Sequence, residues 1–246
     1  MNTSTQIKHV ISADNFSKIA GSPIAYWASE MLLEAFEQAP LLSDIADPRQ
    51  GLATGDNEKF LRFWHEVDDT KAERTCSKTS AVKSNKKWFP CNKGGGYRKW
   101  YGNNERYVNW ENDGFEMKNF KGSVIRNPSY YFKDGGTWST LANTFSMRYS
   151  PEGFLFESKG SVCFSKNHNQ LLYIIGFLNS CIVEEVLLIL SPTLDYHEGP
   201  LGRVPVIVNS DAKFEVDSLV ESSISLCKTD WDYFETSWDF KRHPLI

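Results

Sequence analysis

The stretch KWFPCNKGGGYRKWYGNNERYVNW, residues 87–110, mixes basic side chains, aromatic rings, four glycines and four asparagines. A buried core excludes so many charges, and a plain solvated loop has no need of tryptophan. The tract RYVNW at its end is typical of a strand, and the glycines before it are typical of a turn or loop. The stretch therefore indicates β structure joined to a loop that is built for contact.

Short strand-like tracts continue on the C-terminal side of this stretch. Each combines β-branched or aromatic residues and is bounded by turn residues. The tracts are SVIR, YYF, TFSMRYS, FLFES and SVCF, and the last ends near residue 165. We therefore expect a compact, mostly β segment of about 80 residues.

Helical patterns precede this segment. Ser22 and Pro23 are expected to begin a helix, because serine caps free amides and proline suits the first turn. Its inward face would carry Ile24, Trp27, Ala28, Met31, Leu32, Ala35 and Phe36. Asp56 is expected to cap a second, short helix whose apolar stripe is Phe60, Phe63, Trp64 and Val67.

Helical patterns also follow the β segment. One apolar helix is expected over residues 171–190, then a strand PVIV at residues 205–208. Asp211 is expected to cap the next helix, and a further short helix is expected from Thr229. The inward face of that capped helix would carry Val216, Leu219, Val220, Ile224 and Cys227.

The order of these elements predicts an α+β fold, with a β-rich unit flanked by helices. Three segments are expected. Residues 1–70 form a helical connector with a glycine turn, residues 71–167 form a β-rich core with the basic loop, and residues 168–246 form a helical support with a short strand and an aromatic tail.

Charge is distributed unevenly along the chain. The net charge is −4, but residues 71–110 hold ten basic and two acidic residues, a balance of +8 that leaves −12 elsewhere. A local positive strip on an acidic protein suits a polyanionic partner. A solvated lysine-rich loop explains the same charges, and charge alone does not separate the two interpretations.

The five cysteines are scattered and odd in number, without C-x-x-C spacing, which favours a reducing cytoplasm over a zinc site or disulfide framework. Cys181 and Cys227 lie in apolar helical patterns and are expected in the core. The N-terminus lacks the pattern of a signal peptide, and residues 171–190 are interrupted by polar residues. We therefore expect a cytoplasmic protein without a membrane partner.

Motifs that suggest enzymes are incomplete. NPSYY at residues 127–131 resembles the Asn-Pro-Pro-aromatic tetrad of amino-group DNA methyltransferases, but serine replaces the second proline and no glycine-rich cofactor turn precedes it. Glu116 and Lys118 match half of a nuclease site, with Asp113 too near in sequence to complete it.

No histidine pair has metal-ligand spacing, and residues 94–96 do not form a phosphate-binding loop. We therefore expect binding rather than catalysis, and no catalytic or metal-ligating residue is proposed.

The residue types of the basic loop, residues 83–106, suit double-stranded DNA. Lysine neutralises phosphate, while arginine and asparagine can pair with guanine and adenine edges. Lys86, Lys87, Lys93 and Lys99 are expected to position the DNA backbone, and Arg98, Arg106, Asn103 and Asn104 to read bases. Further expected contacts are Trp100 and Tyr101 as wedges or anchors, Gln50 and Thr54 in a glycine turn, and Arg148 beside the Gly135–Gly136 turn.

Several longer motifs make a family resemblance visible. They are GSPIAYW, PRQGLATGDNEKFLRFWHEV, KWFPCNKGGGYRKWYGNNERYVNWENDG, RNPSYYFKDGGTWS, RYSPEGFLFES and DWDYFETSWDFKRHPL. From Phe16 onward the sequence closely resembles the region that follows the catalytic domain in the PglX family. These are the adenine-specific DNA methyltransferases of BREX phage-defence systems, related to fused restriction–modification enzymes.

This resemblance implies a target-recognition domain of mixed β structure with helical connectors, and double-stranded DNA as its partner. It also implies a methyltransferase catalytic domain, in the same or a separate chain, as a second partner. S-adenosylmethionine is expected for the full-length enzyme but not for this chain, because no cofactor motif can be carried over. Other defence-system subunits and DNA-mimic proteins are further candidate partners.

Alternatives remain open at this point. The chain suits an excised piece, a split gene product or a stand-alone relative. It could also be a protein- or glycan-binding module, since Trp, Tyr and Asn build sugar platforms, or a small DNA-modifying enzyme in its own right. Salt dependence separates DNA binding from sugar binding, because phosphate neutralisation releases counterions and sugar binding does not.

Overall fold

The computed structural model describes residues 12, 17–19 and 21–246. Two four-stranded sheets lie at its centre. Sheet 1 has the order β1 (Ala46–Arg49), β8 (Val162–Ser165), β5 (Gly135–Trp138) and β6 (Met147–Ser150), with antiparallel neighbours throughout. Sheet 2 has the order β2 (Leu61–Phe63), β4 (Arg106–Asn109), β3 (Trp88–Asn92) and β7 (Leu155–Phe156), in which only β3 and β7 run parallel.

The helices surround these sheets. They are α1 (Glu30–Gln38), α2 (Leu42–Ile45), α3 (Asn57–Phe60), α4 (Lys78–Lys83), α5 (Glu111–Lys118), α6 (Leu171–Leu178), α7 (Cys181–Leu190), α8 (Glu198–Gly202) and α9 (Lys213–Asp232). Helices and mixed sheets in one chain confirm the predicted α+β class.

Sheet 1 separates two hydrophobic clusters. Trp138, Met147 and Cys163 face a cluster that includes α1, α6 and α7, whereas Val162 and Phe164 face the cluster shared with sheet 2. Strands from residues 1–70 and 71–167 pair within both sheets, and the first cluster joins residues 1–70 to residues 168–246. The three-segment division stays a prediction.

The expected N-terminal helix begins later than the sequence suggested. Ser22 has a φ of 48° and residues 22–25 are not helical. The helix is capped instead by Ser29, whose Oγ accepts a hydrogen bond from the Leu32 amide. With its positive φ, Ser22 lacks the extended conformation of an N-cap residue, so Ser22 and Pro23 do not open the helix. The prediction of an inward position is therefore wrong for Ile24, Trp27 and Met31, since each is at least half exposed.

The second predicted helix is only one turn long. Asp56 is its cap, as expected, and accepts a hydrogen bond from the Lys59 amide at 3.0 Å. Phe63 does not continue the helix, because β2 pairs with β4 instead. Trp64 begins a single 3-10 turn, so the predicted helical stripe from Phe60 to Val67 is wrong.

The apolar run at residues 171–190 forms two helices, bent by 72° between α6 and α7. Asn179 lies at the break, where its side-chain amide accepts from the Met147 amide and donates to the Met147 carbonyl, each at 2.9 Å. Among the described residues no single helix is long and apolar enough to cross a membrane. The bent pair α6 and α7 is long and apolar enough only when the two helices are taken together.

Other local predictions also need correction. PVIV forms no strand, because only Pro205 makes an isolated bridge, to Leu41. SVIR and YYF are likewise not strands. Asp211 does not cap α9, which runs through Thr229 without a new helix, and Leu219 is exposed. Cys181 is exposed and Cys227 is partly exposed, so neither is a core residue.

Candidate nucleic-acid interface

Two cation–ring pairs lie on sheet 2. Phe63 in the edge strand β2 is the direct cross-strand partner of Arg106 in β4, and the Arg106 guanidinium carbon lies 3.3 Å from the centroid of the Phe63 ring. Both side chains are half-buried. The ring thus orients a guanidinium whose N–H groups remain available for a planar acceptor.

The second pair centres on Trp88, at the start of β3. The Arg62 guanidinium carbon lies 5.8 Å and the Lys87 Nζ lies 5.7 Å from its ring centroid. Arg62 is held in place by hydrogen bonds from its Nη1 to the carbonyls of Glu58 and Leu61. The half-buried Trp88 indole therefore contacts two cations.

We call Arg62, Phe63, Lys87, Trp88 and Arg106 the cation–ring strip. Within the described part of the chain, none of its three cations has a carboxylate at ion-pair distance. Because side chains alternate along a strand, the register places Phe63 and Arg106 on one face of sheet 2 and Arg62 and Trp88 on the other. The strip therefore comprises two open cation–ring pairs rather than one continuous surface.

A shallow depression of about 310 Å³ adjoins the strip. Its lining includes Arg62, Phe63 and Arg106, with Glu58 and Glu66 also contributing. Glu66 is already used by the fold, since its carboxylate accepts from the Phe63 amide at 2.7 Å. The depression thus offers both donors and acceptors beside a ring, which suits recognition of a polar edge.

Lys59 lies near the same edge but is paired. Its ammonium is 2.9 Å from the Glu116 carboxylate and 4.8 Å from the Phe120 ring centroid. The hydrogen bond from Lys59 lowers the pKa of the Glu116 carboxyl. Lys118 pairs with Asp113 at 2.6 Å, so the two carboxylates of the nuclease-like motif, Glu116 and Asp113, bind different lysines.

Most lysines and arginines of the predicted basic loop are bound to the chain itself. Lys93 pairs with the buried Glu157 at 3.0 Å, and Arg98 pairs with Asp230 at 3.3 Å. The Lys86 ammonium donates to the Thr70 carbonyl at 2.6 Å, and the Lys99 ammonium to the Asn179 carbonyl at 2.8 Å. Only Lys87 and Arg106 of the predicted set join the open strip.

The predicted wedge and reader residues of the loop serve its internal structure. The Trp100 amide donates to the Met147 carbonyl at 2.9 Å, and Tyr101 and Asn104 are buried. Asn103 donates to the Gly96 carbonyl at 2.8 Å. Asn103 therefore closes the glycine-rich turn, and a base could reach Tyr101 or Asn104 only after rearrangement.

The glycine turn at residues 50–57 is also occupied by internal contacts. Thr54 is buried, and its hydroxyl donates to the Asn57 side chain at 2.7 Å. The Gln50 carbonyl accepts from the Asn127 side-chain amide at 2.9 Å. Asn127 thereby ties NPSYY to this turn, and its side-chain amide is used by the fold.

Arg148 is the most buried of the predicted contacts. It lies in β6 opposite Thr137, is 1% exposed, and its Nε and Nη1 have no hydrogen-bond partner among the described residues. Burial and the neighbouring Arg98 lower the pKa of Arg148 to about 10. Gly135 and Gly136 belong to β5 beside it, rather than to a turn.

Sequence reasoning missed Arg62 and Phe63 as site residues. The missing signal was strand register: once LRF at residues 61–63 pairs with RYV at residues 106–108, Phe63 and Arg106 must lie side by side. The described residues contain no group of three His, Cys, Asp or Glu side chains able to hold a metal ion.

No family model matches the chain. The chain is 41% identical over 241 residues to the adenine-specific methyltransferase PglX of Lacticaseibacillus casei (strain Zhang), which covers 94% of this chain. It is 40% identical over 250 residues to the adenine-specific methyltransferase BrxX of Escherichia coli O9:H4 (strain HS), which covers 100% of this chain. In each case the chain spans only 20% of the relative's length. The resemblance indicated by the sequence motifs is thus confirmed: nearly the whole chain is homologous to about one fifth of the PglX and BrxX adenine-specific methyltransferases.

Proposed function

We propose that this chain is the part of an adenine-specific DNA methyltransferase of a phage-defence system that recognises the target sequence in double-stranded DNA. The observation that carries the proposal is the cation–ring strip, an open set of arginine, lysine and aromatic side chains on sheet 2. Homology to adenine-specific methyltransferases supplies the context, and S-adenosylmethionine and the catalytic domain belong to the full-length enzyme.

The strip suits a duplex for two physical reasons. Lys87 and Arg62 provide charge that neutralises phosphates and releases counterions. Arg106 presents a planar fork of donors, and its stacking on Phe63 reduces the entropy lost when it pairs with the guanine O6 and N7 atoms. We therefore assign Lys87 and Arg62 to backbone positioning and Arg106 to base reading.

The internal contacts of Lys93 and Lys99 exclude these two lysines from the proposed DNA-contacting surface. The carboxylate of Glu157 and the carbonyl of Asn179 already satisfy Lys93 and Lys99. In this proposal these residues hold the loop, and the loop holds β4 and Arg106 in place. DNA then lies over β2 and the start of β3 rather than over the glycine-rich turn.

Selection from a random duplex library tests the proposal. The 246-residue chain is incubated with the library at low salt, and retained duplexes are sequenced after several rounds. Enrichment of one motif that the R106A variant fails to enrich is the expected result. Enrichment of the same motif by both proteins would remove Arg106 as the reader, and the absence of any motif would contradict sequence recognition by this chain.

A further inference from the structure

In the part of the chain that the structure describes, the guanidinium of Arg148 is a buried cation without a counterion. Its Nε and Nη1 atoms have no hydrogen-bond partner in the described structure, and its side chain is enclosed between β6 and the neighbouring elements. Leaving a buried charge unpaired is strongly destabilising, so native proteins seldom retain one without a use for it.

The charged group that acts on Arg148 is another arginine, Arg98. Arg98 lowers the pKa of Arg148 further, in addition to the effect of burial. The Arg98 guanidinium bonds to one carboxylate, that of Asp230 at 3.3 Å, and lies 5.0 Å from the Trp231 ring centroid. Among the described residues, Asp230 is therefore the one carboxylate paired with either guanidinium group, and it contacts Arg98 and not Arg148.

That carboxylate lies on the solvent side. The Asp230 side chain is 61% exposed, whereas the Arg98 side chain is 31% exposed and Arg148 is buried. Charge is thus layered from the interior outward as Arg148, Arg98 and Asp230. An anion that replaced Asp230 would approach the arginine pair from the solvent.

The segment beside Arg148 is bonded to β6 and, through the Lys99 ammonium, to the Asn179 carbonyl. The Trp100 amide donates to Met147 at 2.9 Å and the Tyr149 amide donates to Trp100 at 2.8 Å. Trp100 itself has a φ of 71°, a conformation that costs energy for a bulky side chain. Movement of this segment therefore breaks two backbone hydrogen bonds, the bond from Lys99 and the packing of Trp100 on the first cluster, and relieves the strain at Trp100.

We propose that Arg98 and Arg148 form a binding site for one phosphate of the DNA backbone, and that the Asp230 carboxylate occupies the phosphate position when DNA is absent. This inference rests on the proposed function. A phosphodiester shares one negative charge over two non-bridging oxygens, which can accept from two guanidinium groups, whereas among the described residues the Asp230 carboxylate pairs with Arg98 and not with Arg148. Binding then supplies the counterion that Arg148 lacks.

Replacement of Arg148 by methionine tests the inner half of the site. R148M removes an unpaired buried charge and keeps a flexible apolar side chain, so we expect a higher melting temperature than for the parent chain. Duplex affinity, measured by fluorescence anisotropy, should nevertheless fall about tenfold, and the slope of log K against log salt should flatten by about 1. K166M, directly after β8 and two strands away from β6, is the matched loss of one positive charge.

Replacement of Asp230 tests the outer half. D230N removes the internal competitor and should tighten duplex binding several-fold more than E235Q, which removes the same charge from the exposed turn after α9. R98A should weaken binding equally on selected and scrambled duplexes, because phosphate contacts carry no sequence information.

The outcomes separate the two proposals. If the parent chain binds duplex DNA with a salt-dependent affinity but R148M matches K166M, or D230N matches E235Q, the phosphate site is refuted and the proposed function stands. If the parent chain shows no salt-dependent duplex binding, the proposed function fails and the phosphate site fails with it.

Discussion

Arg106 in β4 lies with its guanidinium carbon 3.3 Å from the centroid of the Phe63 ring, its cross-strand partner in β2. This contact joins the basic loop, through β4, to the edge of sheet 2. It also fixes the plane of a five-donor fork at the surface, which is the property a base-reading arginine requires.

Removal of the Arg106 side chain should therefore reduce discrimination between duplexes. We expect R106A to lose about 1–3 kcal/mol of preference for the selected duplex over a scrambled one, measured by competition anisotropy. R106K is the matched variant: it should keep most of the affinity for both duplexes and lose the preference, because lysine lacks the planar fork. An equal loss on both duplexes in R106A would contradict a reading role.

Trp88 is expected to contribute to DNA affinity through the two cations it gathers. W88L should weaken duplex binding by about 1–2 kcal/mol, since both cation–ring contacts are lost and no ring remains to pack against sugar or base. The control is W27L, which removes a half-exposed indole beside α1. Equal affinity of W88L and W27L would show that Trp88 is only an anchor.

Gly51 should tolerate no side chain. A Cβ atom built there lies 2.0 Å from the Phe156 carbonyl oxygen, where the turn at residues 50–57 meets β7. We expect G51A to lower the free energy of unfolding by about 3 kcal/mol in urea titration. At Gly199 in α8 nothing lies within 4 Å of the added Cβ. G199A should leave stability unchanged or raise it by about 0.5–1 kcal/mol, so similar losses in both variants would contradict this packing.

Thiol reactivity should follow burial. Cys181 is exposed, whereas Cys76, Cys91 and Cys163 are buried. Burial raises the pKa of the Cys76 thiol to about 11 and raises the pKa values of the Cys91 and Cys163 thiols as well. Because the thiolate is the reactive form, the three buried thiols stay protonated and unreactive at pH 8.

With Ellman's reagent at pH 8 we therefore expect one fast thiol, a slower one from Cys227, and three that react only in denaturant. C181S should remove the fast phase. Rapid release of all five thiols from the native chain, or a fast phase that persists in C181S, would show that the cysteines are not placed as described.

The sequence predicted the class of the fold and several of its β elements. RYVNW, FLFES and SVCF each contain a strand, because their apolar residues lie between strong turn signals. The strand β5 was not recognised, since GGTW begins with two glycines and reads as a turn. β1 was missed for a similar reason: Pro48 lies within it, on the edge of sheet 1.

The helix errors have tertiary causes. Asn179 divides the run at residues 171–190 because its side chain completes backbone hydrogen bonds of Met147, a contact that no local pattern shows. Phe63 and Trp64 have helical spacing, but pairing of β2 with β4 prevails over that spacing. The charge of the basic loop was visible from the sequence. Its neutralisation was not, because Glu157 lies 64 positions after Lys93 in the chain and Asp230 lies 132 positions after Arg98.

The salt dependence of duplex binding tests the central claim most directly. Anisotropy titrations of a fluorescent duplex from 50 to about 200 mM salt should give a slope of log K against log salt of about −3 or steeper for the 246-residue chain. The triple variant R62A/K87A/R106A should flatten that slope by about 2 to 3, while K18A/K166A/K213A should leave it nearly unchanged. A slope near zero for the parent chain, or equal flattening by the two triple variants, would contradict recognition of DNA through the cation–ring strip.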